Sequence, residues 1–150
     1  MTSPASPRHT GLVVKDLERS VSFYRDVLGL ELVGRAREEG AYISSLVGLP
    51  GVIVEWAKLK GAGGHLVELL QYISEPLSAP ESELGRANRP GCSHLAFTVL
   101  DIESMFRALT GAGFRCNHAP LTAPDGRVKV MYAHDPDGII LELVEELHGN

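Results

Sequence analysis

The chain has 150 residues, of which 44% are hydrophobic and 22% charged, with a net charge of −5. This length predicts one domain or two very small ones, and the composition excludes a disordered chain. No apolar run is long enough to span a membrane, and an acidic chain without a basic run argues against nucleic acid as a partner. Two cysteines and an amino terminus without an apolar segment predict a cytoplasmic protein whose residues 1–8 form a loose tail.

The two halves of the chain repeat one pattern. Residues 9–18 match residues 94–103 at a constant offset of 85, with a histidine, a valine, an aspartate and a glutamate identical. Residues 64–70 match residues 138–144 at an offset of 74, so the second copy is 11 residues shorter in its middle. We therefore predict two copies of one module.

Each copy is predicted to begin with a short strand, to continue with an amphipathic helix and to end in further strands. Asp16 and Asp101 follow the opening strands and suit the N-cap of a helix. Apolar residues at helical spacing then predict one buried face for each helix. The strands are predicted at 9–14, 31–35, 52–59, 65–72, 94–99, 128–133 and 139–144, with hairpin turns at 61–64 and 135–138. Residues 42–47 fit either a strand or a helical turn.

The predicted architecture is α+β, with two tandem βαβββ modules that form a curved, barrel-like mixed sheet. Module one spans residues 9–73 and module two spans residues 92–146. The polar segment 74–91 contains three prolines and no sustained pattern, so we interpret it as a linker. The modules and linker together are predicted to form a single domain over residues 9–146.

Four residues stand at equivalent places in the two modules. A histidine opens the first strand of each copy, and a glutamate lies in the middle of each last strand: His9, Glu68, His94 and Glu142. Strand alternation puts each histidine on a face with small side chains and puts large apolar residues on the other face. Because apolar residues flank both glutamates, each carboxylate is expected to be partly buried and to need a partner.

Two imidazoles and two carboxylates would satisfy one another through a divalent metal, and these donors suit Zn, Ni, Co, Mn or Fe. The alternative is structural, with histidines at strand ends and glutamates paired with arginines such as Arg8, Arg86 or Arg89. Four matched positions favour the metal site. Three further residues are candidates for substrate binding: Tyr42, Glu55 and Trp56. His65, His118, His134 and His148 have no matched partners, so we interpret them as surface residues.

Residues 9–146 resemble the vicinal oxygen chelate superfamily, which includes glyoxalase I, methylmalonyl-CoA epimerase, extradiol dioxygenases and bleomycin resistance proteins. The resemblance is carried by His9 to Leu30, Val67 to Leu70, His94 to Glu103 and Asp135 to Leu143. It implies paired βαβββ modules around a metal, with ligands at the positions of His9, Glu68, His94 and Glu142. It also implies a homodimer, with the site either within one chain or shared between two.

The ligand set is most similar to those of glyoxalase I and the epimerases. Extradiol dioxygenases have a metal-ligand set of two histidines and one carboxylate. The epimerases have a glutamine at the position that matches Glu68. Glutathione-dependent glyoxalases carry an arginine four residues after the first histidine, where this chain has Val13. The resemblance therefore implies a small oxygen-chelating substrate that is not linked to glutathione.

The predicted activity is that of a metal-dependent isomerase, epimerase or lyase. It would abstract a proton next to a carbonyl group, with Glu142 as the base and Glu68 as its counterpart. Two alternatives stay open at this point: an Fe(II) dioxygenase of the extradiol type, and a metal-free protein that binds small molecules or confers resistance.

Overall fold

A computed structural model describes residues 7–74, Cys92 and residues 94–147. The chain divides into two compact units, Met1–Ser78 and Ala79–Asn150. Most of the predicted tail and all of the predicted linker except Ser74 lie outside the described residues, so the domain assignment stays a prediction. Within the described part of the chain, no helix has both the length and the apolar character needed to cross a membrane.

The first unit is a βαβββ module with one additional helix. Its four strands form a mixed sheet in the order β1-β4-β3-β2, with β1 parallel to β4 and the other pairs antiparallel. The elements are β1 (His9–Val13), α1 (Leu17–Ser22) continued by a π-helical turn (Phe23–Val27), β2 (Glu31–Glu39), α2 (Ala41–Val47), β3 (Ile53–Lys60) and β4 (Leu66–Tyr72).

The second unit repeats this topology, with the strand order β5-β8-β7-β6 and β5 parallel to β8. Its elements are β5 (Leu95–Thr98), α3 (Ile102–Gly111), β6 (Leu121–Thr122), β7 (Val128–His134) and β8 (Ile140–Glu146). The predicted α+β class and repeated βαβββ module are confirmed, with the strands in two four-stranded sheets. Sequence patterning does not predict β6, because a strand of two residues is too short to show alternation.

The two equivalent helices are attached to their sheets in the same way. Asp16 and Asp101 cap them, and each accepts a hydrogen bond from the backbone N–H three residues later. The first helical N–H of α1 donates to Gln71 Oε1 at 2.8 Å, and that of α3 donates to Glu145 Oε2 at 2.9 Å. Gln71 and Glu145 occupy equivalent positions on β4 and β8, so equivalent hydrogen bonds attach each helix to its own sheet.

One face of each sheet packs against its helix and forms the core. Leu12, Val67 and Leu69 are buried in the first unit, and Leu141 and Leu143 are buried in the second. Strand alternation therefore turns Glu68 and Glu142 to the opposite face, away from α1 and α3.

Helix α2 has no equivalent helix in the described part of the second unit. It resolves the ambiguity at residues 42–47 in favour of a helix, which begins after Gly40 (φ 98°) and ends at Gly48 (φ 73°). Its one buried side chain, Ile43, packs with Val52 and Val54. The longer middle of module one thus places a helix over the sheet face that carries Glu68.

Candidate functional site

The first candidate pair lies on the parallel strands β1 and β4. His9 Nε2 lies 3.0 Å from Glu68 Oε2, and the two side chains are 32% and 14% exposed. In the strand register Gly11, not His9, stands directly opposite Glu68. Because Gly11 has no side chain, the His9 imidazole has room to extend along the sheet to the Glu68 carboxylate.

The second pair has the same construction in the second unit. His94 Nε2 lies 3.1 Å from Glu142 Oε2, with side-chain exposures of 33% and 26%. Here Ala96, two residues after the histidine, stands opposite Glu142. The predicted equivalence of the two histidines and the two glutamates therefore extends to strand register, contact distance and partial burial.

A third side chain stands beside each glutamate on the neighbouring antiparallel strand. Lys58 is opposite Glu68, and Tyr132 is opposite Glu142. Lys58 Nζ lies 3.3 Å from Glu68 Oε1 and 4.5 Å from the centroid of the Trp56 ring. Tyr132 Oη lies 3.5 Å from His94 Nδ1. Burial and the negative charge of Glu142 raise the pKa of the Tyr132 phenol. The two glutamates therefore differ in their neighbours, one cationic and one neutral.

The sequence patterns did not indicate Lys58 or Tyr132, because the predicted turns at 61–64 and 135–138 leave the closing pair of each hairpin, and therefore its register, undetermined. In the first hairpin the backbone N–H of Gly61 donates to the carbonyl of His65, and in the second the N–H of Asp135 donates to the carbonyl of Ile139. Counting back along the strands from these closing pairs brings Lys58 opposite Glu68 and Tyr132 opposite Glu142.

A cavity of about 360 Å³ adjoins the first pair, entirely within the first unit. Tyr42 and Trp56, two of the three residues predicted to contact substrate, line it. Glu55 lies instead on the alternate side of β3, where its Oε1 is 3.2 Å from Arg37 Nη1. The full lining is His9, Glu38, Tyr42, Ile43, Leu46, Val47, Val54, Trp56, Lys58, Glu68, Leu70 and Tyr72.

The donor chemistry of the two pairs fits a divalent metal. Each pair presents an imidazole nitrogen and a carboxylate oxygen that face each other at 3.0 Å or 3.1 Å. Such mixed donors suit the first-row divalent ions named above. Among residues 7–74, 92 and 94–147, no group of three His, Cys, Asp or Glu side chains is arranged to hold a metal. Each pair by itself supplies one nitrogen donor and one oxygen donor.

The remaining histidines do not all lie at the surface. His65 and His118 are exposed as predicted, and His148 lies outside the described residues. The prediction is wrong for His134, which is only 4% exposed. Its Nε2 lies 2.7 Å from Asn117 Oδ1 and its Nδ1 lies 3.4 Å from the Gly138 carbonyl oxygen. A buried histidine is tolerated at this position because both ring nitrogens have polar neighbours.

His134 is expected to make stability fall in mild acid. Burial, and then the charge of Arg115, lower the pKa of His134 below its usual value. Below about pH 6.5 the unfolded chain therefore takes up a proton that the folded chain does not accept, and the free energy of unfolding decreases. His134→Gln should flatten this decrease in urea unfolding followed from about pH 7.5 to 5.5. His118→Gln, at an exposed histidine, is the control, and equal slopes in wild type and His134→Gln would contradict the assignment.

Comparisons with known proteins agree with this fold. A family model described as the glyoxalase/bleomycin resistance protein/dioxygenase superfamily matches residues 6–143. The chain belongs to this superfamily.

Among its relatives are two proteins named lactoylglutathione lyase. The one from Escherichia coli O157:H7 is 28% identical over 92% of this chain and 90% of its own length. The one from Schizosaccharomyces pombe is 29% identical over 92% of this chain, which spans only 46% of that relative. A solved structure of a glyoxalase family protein from Bacillus cereus is 28% identical, covers 98% of this chain and 97% of its own, and superposes with a TM-score of 0.89.

Proposed function

We propose that the protein is a divalent-metal-dependent isomerase, epimerase or lyase that abstracts a proton next to a carbonyl group of a small substrate. The observation that carries the proposal is the pair of equivalent His–Glu contacts, His9 with Glu68 and His94 with Glu142. The relatives named lactoylglutathione lyase support the same kind of reaction. We propose these four residues as the metal ligands, supplied by one chain or by two copies in a homodimer.

A bound divalent ion would supply Lewis-acid stabilisation of negative charge that develops on a substrate oxygen. Glu142 is proposed to take the proton from the carbon next to the carbonyl group. The residue opposite it on the neighbouring strand is Tyr132, whose side chain is a phenol and not a cation. Glu68 is proposed as the counterpart of Glu142 on the opposite face of the substrate. The carboxylate of Glu68 forms an ion pair with the Lys58 ammonium. This difference supports Glu142 as the residue that removes the proton.

The test of the proposal is metal stoichiometry. Protein without a tag is stripped with chelator, reloaded separately with Ni, Co, Mn, Zn or Fe(II), dialysed and analysed by elemental mass spectrometry. About one tightly bound ion per site is expected, and His94→Ala and His9→Ala should each lower the metal content severalfold or more. His118→Ala is the control, because His118 is exposed, belongs to neither His–Glu pair and has its Nδ1 2.7 Å from the carbonyl oxygen of the neighbouring Ala119.

Failure to retain any of these ions would overturn the proposal and leave a small-molecule binding protein. Retention of Fe(II) alone, with consumption of O₂ on a catechol substrate, would favour a dioxygenase instead. The oligomeric state of the loaded protein, measured by light scattering, tests the proposed homodimer.

A further inference from the structure

The cavity of the first unit has two chemically different ends. One end carries the charged and polar groups of His9, Glu68 and Lys58, and Lys58 is opposite Glu68 in the strand register. The other end is apolar and is lined by side chains of α2, β3 and β4: Ile43, Leu46, Val47, Val54 and Leu70. A ligand that fills this cavity therefore needs a polar head and an apolar body.

Lys58 is the cation of the polar end. Its ammonium group can donate three hydrogen bonds, and its contacts in the structure are the Glu68 carboxylate at 3.3 Å and the face of Trp56 at 4.5 Å. The side chain is 31% exposed. The indole N–H of Trp56 donates to Glu38 Oε1 at 2.9 Å, which holds the ring under the ammonium group and engages the Glu38 carboxylate. Lys58 is thus held at the cavity with donor capacity for an additional acceptor.

Helix α2 also contributes two largely exposed side chains to the cavity lining. Tyr42 is 77% exposed and Leu46 is 66% exposed, although both line the cavity. The two residues are four apart on α2 and therefore lie on the same side of the helix. Ile43 on this helix is buried against the sheet, so the position of α2 is fixed while these two side chains stay at the rim. A flat apolar group in the cavity would cover part of them.

We propose that this cavity binds a small carboxylate with an aromatic or branched aliphatic body, with the carboxylate on Lys58 and the body between Trp56 and α2. This inference names the substrate class of the enzyme proposed above and rests on that proposed function. Lys58 acts as the residue that selects an anion, because an ammonium group gains more from a carboxylate than from a neutral amide of the same shape. The volume of about 360 Å³ suits a ligand of this size.

The single tryptophan of the chain is Trp56, so its fluorescence reports directly on the cavity. Metal-free protein is titrated with 4-phenylbutyrate and, separately, with its neutral isostere 4-phenylbutyramide. The acid is expected to bind about tenfold tighter than the amide, and Lys58→Met should reduce that preference to about twofold or less. Lys58→Arg should keep the preference. Lys60→Met is the matched control, because Lys60 is an exposed lysine on the same strand and is absent from the cavity lining.

The ratio of acid to amide affinity within each variant separates charge recognition from general packing losses. Glu68→Gln offers a second test that does not change Lys58, since removing the competing carboxylate should tighten binding of the acid severalfold and leave binding of the amide unchanged. Equal affinities for acid and amide in the wild type, no saturable binding of the acid, or an unchanged preference in Lys58→Met would each overturn the inference. Metal is absent throughout, so this result is independent of the metal measurement. Acid selectivity without metal retention would overturn the proposed enzyme activity and leave the carboxylate-binding cavity in place.

Discussion

Replacing Glu142 by glutamine is expected to slow proton transfer by about 10²-fold to 10⁴-fold, the usual contribution of a positioned general base. Glutamine keeps the shape of the side chain and one carbonyl oxygen but cannot accept the substrate proton. The measurement is the rate of deuterium uptake from D₂O at the carbon next to the carbonyl group. It is followed by NMR on metal-loaded enzyme with 4-phenyl-2-oxobutyrate and S-lactoylglutathione, and with any better substrate that these identify.

The control for this prediction is Glu146→Gln on the same strand. Glu146 is exposed at the end of β8 and lies outside both His–Glu pairs, so its amide variant should exchange at the wild-type rate. A Glu142→Gln protein that stays folded and metal-loaded yet exchanges at the wild-type rate would remove Glu142 from the role of base.

The variant Glu68→Gln distinguishes the catalytic roles proposed for Glu68 and Glu142. If Glu68 is the counterpart that returns a proton, its variant should still exchange deuterium through Glu142 but should no longer convert one isomer into the other. Loss of both exchange and conversion in Glu68→Gln, with no loss in Glu142→Gln, would reverse the two roles. The ion pair between Lys58 and Glu68 is the structural reason to expect Glu142, rather than Glu68, to remove the proton.

The repeat made most of the fold predictable from sequence. Once residues 9–18 are aligned with residues 94–103, each uncertain element in one copy can be compared with its equivalent in the other. The apolar residues on both sides of Glu68 and Glu142 predicted partly buried carboxylates, and these side chains are 14% and 26% exposed. These features are local or repeat along the chain, and a sequence pattern records them directly.

The parts that were missed depend on contacts between segments far apart in sequence. Helix α2 has a buried apolar residue only at Ile43, which is too weak a stripe to distinguish a helix from a strand. The cavity exists because α2 covers the end of the sheet, and no periodicity in β3 or β4 indicates that cover. His134 was wrongly predicted to be a surface residue because its partner, Asn117, lies in a segment without regular pattern.

Truncating Leu143 to alanine is expected to lower the free energy of unfolding by about 2–5 kcal/mol, because the side chain is fully buried beneath α3 and its removal leaves a cavity. Leu69→Ala, at the equivalent position in the first unit, should cost a similar amount. Urea unfolding followed by circular dichroism measures both, and Leu100→Ala, at a side chain that is 98% exposed, should change stability by about 0.5 kcal/mol or less.

Trp56 fluorescence adds a second reading to the same experiment, because it reports only on the first unit. If the two units unfold together, Leu143→Ala shifts the fluorescence transition as much as the circular dichroism transition. If they unfold separately, Leu69→Ala shifts the fluorescence transition and Leu143→Ala leaves it in place. A loss below about 1 kcal/mol in both variants would contradict the core assignment, and with it the alternation that turns Glu68 and Glu142 away from α1 and α3.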